Sequence, residues 1–480
     1  MVGQDELPDF PTPIVVTDHN GKSRWTVAIP LDQGFPLSME QYSDISSQCH
    51  EASAQARGAR GDLSLLNLHG AYDIVDDSYV DVEEAEATGL LARPARKRSF
   101  HVVPFSGHFV GLDPKMASKP VCRNTMTFVL ETPDAGLGNT LMMLWTFYGL
   151  AKEQGRAFFI DDTRWAYGRF EDIFRLPPVP NCRPPQRHQI VPCPYNARHL
   201  VVTSITAKEI FPALLAKHRQ TAGSGDSVLD LFALARTGYE SLFALHEDDN
   251  NYVASRVEEL NKTRNAVRFG GIGQPIIGLH VRHGDHHPFE YQYQGTYIPT
   301  EVFQSAAQDA SNLHYEGTTQ DERDYVTLLA TDDPLVYLQP EFEDAYPAQD
   351  RLKLPAKASE DDVFGNPDAL HDFEDQTLGW EGGFFATVFW NIGTERQDNA
   401  GAQVDQEPTP PTQAVKTRGR LARAYLLELS IIAETSDVTI CAVSTMGCRI
   451  LGVMIGWEKG IKGGSWINVD GDYSWTGIKW

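Results

Sequence analysis

The chain has 480 residues, enough for two or three domains, and 41% of them are hydrophobic, as in ordinary globular proteins. Acidic residues (65) outnumber basic residues (41), which gives a formal net charge of −24. This charge argues against nucleic acid as a partner, because duplex binding needs a dense Lys/Arg surface, and it requires any anionic substrate to be held by a local basic cluster.

Residues 1–98 are rich in loop-forming residues and end in an acidic stretch followed by the basic run 93–98. They predict an irregular N-terminal extension. The pattern changes at Ser99, and we expect residues 99–272 to form an N-terminal α/β domain. Its first βαβ unit is predicted as a strand (125–130), a glycine turn (136–139), a helix (140–152) and a strand (157–160).

A second half, residues 273–480, is predicted to begin after helical zones at 207–217 and 228–246 and a glycine-rich link at 269–275. Its apolar runs predict buried parallel strands at 276–281, 326–330 and 438–443. A helix at 421–433 has apolar residues at three- and four-residue spacings, and residues 396–416 are polar, proline-containing and predicted to be a flexible insertion. Two successive α/β halves predict an α/β fold of two Rossmann-like domains that face a cleft.

No apolar run approaches the roughly eighteen residues of a membrane span, and the first 25 residues lack the pattern of a signal peptide. We therefore expect no membrane span in this chain. Six cysteines include no CxxC pair, which disfavours a structural zinc site. Cys441 and Cys448 are close enough in sequence to form a disulfide, and Cys182 with Cys193 could do likewise. The cysteines alone do not decide between an oxidising and a reducing compartment.

Charged side chains follow the apolar strand 276–281, and open α/β sheets bind ligands just beyond the carboxyl ends of their strands. Arg282 therefore stands where a phosphate is expected, because its planar guanidinium can contact two phosphate oxygens at once. The alternative is an ordinary ion pair at the strand end, with Asp285 as a partner. Glu290, slightly further on, is either a general base for a sugar hydroxyl or a surface carboxylate.

Polar residues also follow the next two strands. Asp332 and Asp333 could hold ribose hydroxyls, orient Arg282 or bind a metal, or one of them could simply cap the helix beginning at the next residue. Ser444 and Thr445 run into a helix, so their hydroxyls and the first backbone amides would point at a bound anion. A plain N-cap is the alternative there as well.

Two further patterns carry weaker signals. The turn Gly136–Asn139 could hold a substrate at a helix N-terminus, although Asn139 can equally be an N-cap. Four histidines raise the question of a metal site, but their spacing does not match a helical HxxxH pattern and we predict no metal there. They are His280, His283, His286 and His287.

Three of these segments resemble motifs of the α1,6-fucosyltransferase family, which includes the core fucosyltransferases of N-glycans and the bacterial nodulation fucosyltransferases. Residues 280–285 (HVRHGD) resemble its H-V-R-R-T-D motif, and residues 329–334 (LATDDP) match its L-A-T-D-D-P motif. Residues 437–449 follow its D-x-x-x-C-T-F-S-S-Q-V-C-R motif, including the spacing between the cysteines. The motifs occur in the family's order at three successive strand ends.

The resemblance implies a GT-B fold, GDP-fucose as donor, a glycan acceptor, inversion at the anomeric carbon and no metal. It further implies an α1,6 linkage on an N-glycan or chito-oligosaccharide core and, for eukaryotic members, a Golgi location. By position, Arg282 would neutralise the departing diphosphate, His280 would help to seat the guanosine and Glu290 would be the base. The other implied donor-site residues are Asp285, Asp332, Asp333, Glu428, Ser444 and Thr445.

The sequence also departs from the family's pattern. His283 replaces the second arginine of the first motif, Met446 replaces a glutamine, and Glu428 aligns with the family's acidic residue only after a shift of one residue. A non-catalytic relative that binds a carbohydrate or GDP-sugar therefore remains an alternative. A metal-dependent hydrolase, which EDTA would inactivate, is a second alternative.

Overall fold

The computed structural model describes residues 8–31, 33–59, 76–92, 109–131, 136–222, 227–266, 268–269, 272–283, 291–293, 296–315, 325–352 and 412–480. In these ranges the helices are α1 (Met39–Gly58), α2 (Val82–Thr88), α3 (Leu137–Glu153), α4 (Ser204–Ala222), α5 (Ser227–Leu242), α6 (Glu247–Ala266), α7 (Thr300–His314), α8 (Thr412–Thr435) and α9 (Met446–Ile455). The strands are β1 (Thr12–Thr17), β2 (Ser23–Ala28), β3 (Thr125–Val129), β4 (Ala157–Asp161), β5 (His199–Val202), β6 (Arg268–Phe269), β7 (Ile272–Gly273), β8 (Ile276–Val281), β9 (Val326–Thr331), β10 (Tyr346–Pro347), β11 (Val438–Cys441) and β12 (Trp466–Asn468).

The first parallel sheet has the order β4-β3-β5, and β3 is buried along its whole length because its side chains enter a hydrophobic core on each face of the sheet. Helix α3 follows β3 and crosses α5 at close range. A Cβ on Gly149 would lie 2.4 Å from the carbonyl oxygen of Leu234, and a Cβ on Gly238 would lie 2.2 Å from that of Trp145. These two glycines therefore allow the helix backbones to touch and fix the direction of α3.

The second parallel sheet has the order β10-β9-β8-β11-β12. From β8 the chain goes to β9 on one side and later returns to β11 on the other side. The order of the strands thus reverses between β8 and β11, and such a topological switch point opens a crevice at the carboxyl ends of the two strands. All three apolar runs that predicted strands in this half are confirmed, as is the α/β class.

One hydrophobic core contains residues from both parallel sheets, among them Met126 of β3 and Leu328 of β9. It also contains buried residues of α3, α5, α8 and α9. The two α/β halves are therefore packed through the helices that lie between their sheets. No helix in the described ranges is both long and apolar enough to span a membrane.

The expectation of an irregular N-terminal extension is wrong for the described part of residues 1–98. β1 and β2 form an antiparallel hairpin, and α1 starts with a capping box between Ser38 and Gln41. A second hydrophobic core joins this hairpin and α1 to the first parallel sheet. The prediction failed because the buried positions of α1, although they recur at three- and four-residue spacings, are mostly small or polar residues such as Ser46, Ala52 and Ser53 and do not read as an apolar face.

The six cysteines form three disulfides, Cys49–Cys193, Cys122–Cys182 and Cys441–Cys448. The predicted closure of the 441–448 loop is confirmed, whereas the pairing of Cys182 with Cys193 is wrong. Both of those cysteines bond to partners that are distant in sequence, and loop length cannot reveal such partners. Asp285, Glu290, His286, His287 and residues 396–411 of the predicted insertion lie outside the described residues, and residues 412–416 begin α8.

Candidate functional site

The site is built where β8 and β11 end side by side, at the switch point of the second sheet. His280 is the last residue of β8 paired with β11, opposite Cys441, and it is buried. Arg282 leaves the strand end immediately afterwards, and Ser444 follows β11 on the neighbouring strand. The structure therefore brings together the ends of the first and third predicted motifs.

Arg282 pairs with Asp332, which follows the adjacent strand β9, at 3.2 Å between guanidinium nitrogen and carboxylate oxygen. The other carboxylate oxygen of Asp332 accepts a hydrogen bond of 2.8 Å from the backbone N–H of His283. Asp332 thus holds both the side chain of Arg282 and the backbone that carries it. Of the roles predicted for Asp332, the contacts match the one in which it orients Arg282.

Asp333 caps the short 3-10 helix Pro334–Leu338 by accepting from the backbone N–H of Leu335 at 2.9 Å, so the predicted alternative of a cap is correct for this residue. Its second oxygen lies 2.8 Å from Nδ1 of His283. The imidazole of His283 also stacks on Tyr297, with 4.1 Å between the ring centroids. The side chain of His283 is therefore fixed on two sides.

Ser444 and Thr445 have different roles. The Thr445 hydroxyl is the N-cap of α9, since it accepts from the backbone N–H of Cys448 at 3.3 Å. The Ser444 side chain is buried, and its hydroxyl has no hydrogen-bond partner among the described residues. A buried hydroxyl without a partner is costly, so Ser444 is the better candidate of the two for contact with a bound anion.

The first turns of α3 and α9 meet next to His280 at the end of β8. A Cβ on Gly138 would lie 2.9 Å from Cβ of Met446, and a Cβ on Gly447 would lie 2.4 Å from Nε2 of His280. Both positions therefore need glycine if the two helices are to approach each other and the end of β8. Each helix N-terminus carries unsatisfied N–H groups and a partial positive charge, and together with Arg282 they make this crevice favourable for an anion.

Burial lowers the pKa of His280 to about 4, with a smaller opposing effect from Asp332, so its imidazole is neutral near pH 7. Its Nδ1 has no hydrogen-bond partner in the part of the chain that the structure describes. Tyr425 on α8 lies beside it, with 6.4 Å between ring centroids, and the Tyr425 hydroxyl also approaches Gly138 and Gly447. Tyr425 is therefore central to the site, although the sequence indicated it only as a buried face of a helix.

Glu428 lies one helical turn after Tyr425 and is buried. Burial raises the pKa of its carboxyl well above the usual value, and the nearby Asp332 raises it further, while a hydrogen bond from Gln349 acts in the opposite direction. The raised pKa favours the protonated form of Glu428, which can both donate and accept a hydrogen bond. Sequence reasoning missed Gln349, because only the fold brings the segment after β10 to α8.

One of the weaker sequence predictions has a clear outcome. Asn139 is not an N-cap; its side chain instead accepts from the backbone N–H of Lys479 at 3.1 Å and donates to the carbonyl of the same residue at 2.9 Å. In the described ranges no three potential metal-ligating side chains are grouped together. His286 and His287 lie outside the described residues, so the absence of a metal at the four histidines stays a prediction.

No protein-family model matches the sequence, and no curated protein is detectably similar to it. Solved structures with a partial likeness include NodZ α1,6-fucosyltransferase soaked with GDP-fucose (13% identity, TM-score 0.29, covering 69% of this chain and 93% of that one). Fucosyltransferase NodZ from Bradyrhizobium has 14% identity and a TM-score of 0.32, with 68% and 92% covered. A mutant of Arabidopsis thaliana FUT1 in complex with GDP has 8% identity and a TM-score of 0.31, with 69% and 68% covered. TM-scores near 0.3 do not establish a common fold, so the case for a function rests on the motifs and the site geometry.

Proposed function

We propose that this chain is a glycosyltransferase that transfers fucose from GDP-fucose to a glycan acceptor, with inversion at the anomeric carbon and without a metal. The observation that carries the proposal is the position of the three motif segments. They follow three neighbouring parallel strands, β9, β8 and β11, so Arg282, Asp332 and Ser444 lie along the same edge of the sheet, and the first turns of α3 and α9 approach each other next to His280. This is the chemistry that a departing diphosphate requires, because negative charge grows on its oxygens in the transition state.

In this proposal Arg282 contacts the diphosphate, and Asp332 holds Arg282 in the required orientation. The neutral imidazole of His280 and the carboxyl of Glu428 contact the guanosine, since both side chains are buried next to the strand ends and both can form hydrogen bonds. Thr445 supports the site by capping α9 beneath Ser444. The N-termini of α3 and α9 carry partial positive charges, which add to the positive charge of Arg282 at the crevice.

The remaining parts of the proposal come from the family resemblance. Glu290 is the general base that removes the proton from the acceptor hydroxyl, with Asp285 and Asp333 as further donor-site residues. The linkage is α1,6 on an N-glycan or chito-oligosaccharide core. Residues 99–272 and 273–480 form the two domains of a GT-B fold. The three disulfides are consistent with an oxidising compartment such as the Golgi lumen.

The direct test is a transfer assay with the purified full chain, GDP-fucose and chitotetraose, with GDP release and product mass as readouts. GDP-mannose serves as a matched control donor, since it shares the nucleotide and differs in the sugar. We expect GDP release and a fucosylated product with GDP-fucose only. If no GDP is released from GDP-fucose, neither by transfer of fucose to the glycan nor by hydrolysis, the assignment is contradicted.

A further inference from the structure

Two tyrosines form an exposed aromatic pair next to the site. Tyr473 is 51% exposed and Tyr291 is 36% exposed, and their rings pack edge to face with 4.8 Å between centroids. Tyr473 belongs to the segment after β12, which lies beyond the last motif that resembles the fucosyltransferase family. Neither tyrosine has a role in the proposed binding of the donor.

Buried polar groups hold the backbone on both sides of this pair. Asp470 is fully buried and accepts from the backbone N–H groups of Tyr291 and Gln292, both at 2.8 Å. The side-chain amide of Asn468 donates to the carbonyls of Gly471 and Tyr473 at 2.9 and 3.1 Å. The positive φ of Gly471 (72°) lets the loop turn there, so Tyr473 is presented to solvent by a rigid loop.

The same polar groups connect the pair to the loop of Ser444. Arg449 is buried and donates to the hydroxyl of Tyr291 at 2.8 Å and to the carbonyl of Val443 at 2.7 Å. Asn468 accepts from the backbone N–H of Val443 at 2.9 Å. One rigid unit thus carries the candidate anion-binding hydroxyl and the exposed rings.

Tyr291 also follows directly after Glu290, the proposed base, in the sequence. A general base must lie within hydrogen-bond reach of the hydroxyl that it deprotonates, so the acceptor has to approach the chain close to Tyr291. An exposed aromatic ring suits the apolar face of a pyranose whose substituents are equatorial, because the ring offers a large, rigid and flat contact surface.

We propose that Tyr473, supported by Tyr291, is an acceptor-binding platform on which a pyranose ring of an equatorially linked glycan stacks beside the donor site. This inference rests on the proposed function and adds to it a residue that determines the affinity for the acceptor. Tyr473 is a binding residue for the acceptor, and it has no part in holding GDP.

The test compares Tyr473→Ala, Tyr473→Phe and Tyr346→Ala with the unaltered chain. Tyr346 lies in the edge strand β10 and is 44% exposed, so its replacement controls for the loss of an exposed tyrosine elsewhere. The readouts are KM for chitotetraose, KM for GDP-fucose and the Kd of GDP. Loss of one stacking contact predicts a KM for chitotetraose that is about three- to tenfold higher in Tyr473→Ala, with the Kd of GDP unchanged. Tyr473→Phe and Tyr346→Ala should match the unaltered chain.

An unchanged KM for chitotetraose in Tyr473→Ala, or an equal rise in the Kd of GDP, would overturn the platform. Binding of chitotetraose, cellotetraose and maltotetraose is measured in parallel by saturation-transfer NMR with GDP present. An unaltered chain that binds GDP and none of these glycans also overturns the platform, but leaves the donor assignment standing. An unaltered chain that neither binds GDP nor consumes GDP-fucose contradicts the proposed function itself.

Discussion

Separate replacement of Ser444 and Thr445 by alanine distinguishes an effect on the affinity for GDP from an effect on the stability of the fold. In Ser444→Ala a buried hydroxyl without a partner among the described residues is removed, so the stability should be unchanged or slightly higher. If this hydroxyl donates to a phosphate oxygen of GDP, its loss removes a hydrogen bond to a charged group, worth about 1.5–3 kcal/mol. The Kd of GDP should therefore rise by about 10- to 150-fold, since 1.4 kcal/mol corresponds to a factor of ten.

Thr445→Ala should show the opposite pattern. Thr445 caps α9 through its bond to the N–H of Cys448, and loss of an N-cap costs about 1 kcal/mol of stability. Its effect on the Kd of GDP should be smaller than that of Ser444→Ala. The assays are isothermal titration with GDP and equilibrium unfolding in urea for both variants. The reasoning is refuted if Ser444→Ala binds GDP like the unaltered chain while Thr445→Ala keeps full stability.

Three more predictions address the other site residues. Arg282→Ala should lower kcat/KM for GDP-fucose by at least about tenfold. Arg282→Lys should recover only part of this loss, because lysine cannot contact two phosphate oxygens with one planar group. Equal kinetics for the unaltered chain and both variants would exclude Arg282 from the site. Glu290→Gln should bind GDP normally by titration but transfer no fucose, so full turnover would exclude it as the base. Burial lowers the pKa of His280 to about 4 in the folded chain, whereas the unfolded chain has the ordinary value of 6.5. Below pH 6.5 the unfolded chain therefore takes up a proton that the folded chain does not bind. The free energy of unfolding should decrease by about 2 kcal/mol as the pH is lowered from 7 to 5. Urea unfolding at both pH values should show a smaller fall for His280→Gln, and an identical fall would contradict the buried neutral imidazole.

The sequence predicted the parts of the site that depend on local pattern. Apolar runs identified β8, β9 and β11, and the rule for parallel sheets then placed Arg282, Asp332 and Ser444 at one edge. The capping rules gave the correct alternative for Asp333, since they involve only a few neighbouring residues.

The rest depends on contacts between distant segments. Tyr425 and Gln349 reach the site only through the packing of α8 against the second sheet, and no short pattern marks either residue. The choice between Ser444 and Thr445 as the cap depends on backbone geometry that the residue types do not distinguish. Likewise, the partner of Cys182 lies 60 residues away.

The proposed function requires the crevice between β8 and β11 to bind a guanosine diphosphate sugar without a metal. Isothermal titration of the full chain with GDP, GDP-fucose and UDP, each with and without EDTA, tests it most directly. We predict binding of GDP and GDP-fucose that EDTA does not weaken, and much weaker binding of UDP. Absence of binding by both guanosine ligands, or binding that EDTA abolishes and a divalent ion restores, would rule out such a site.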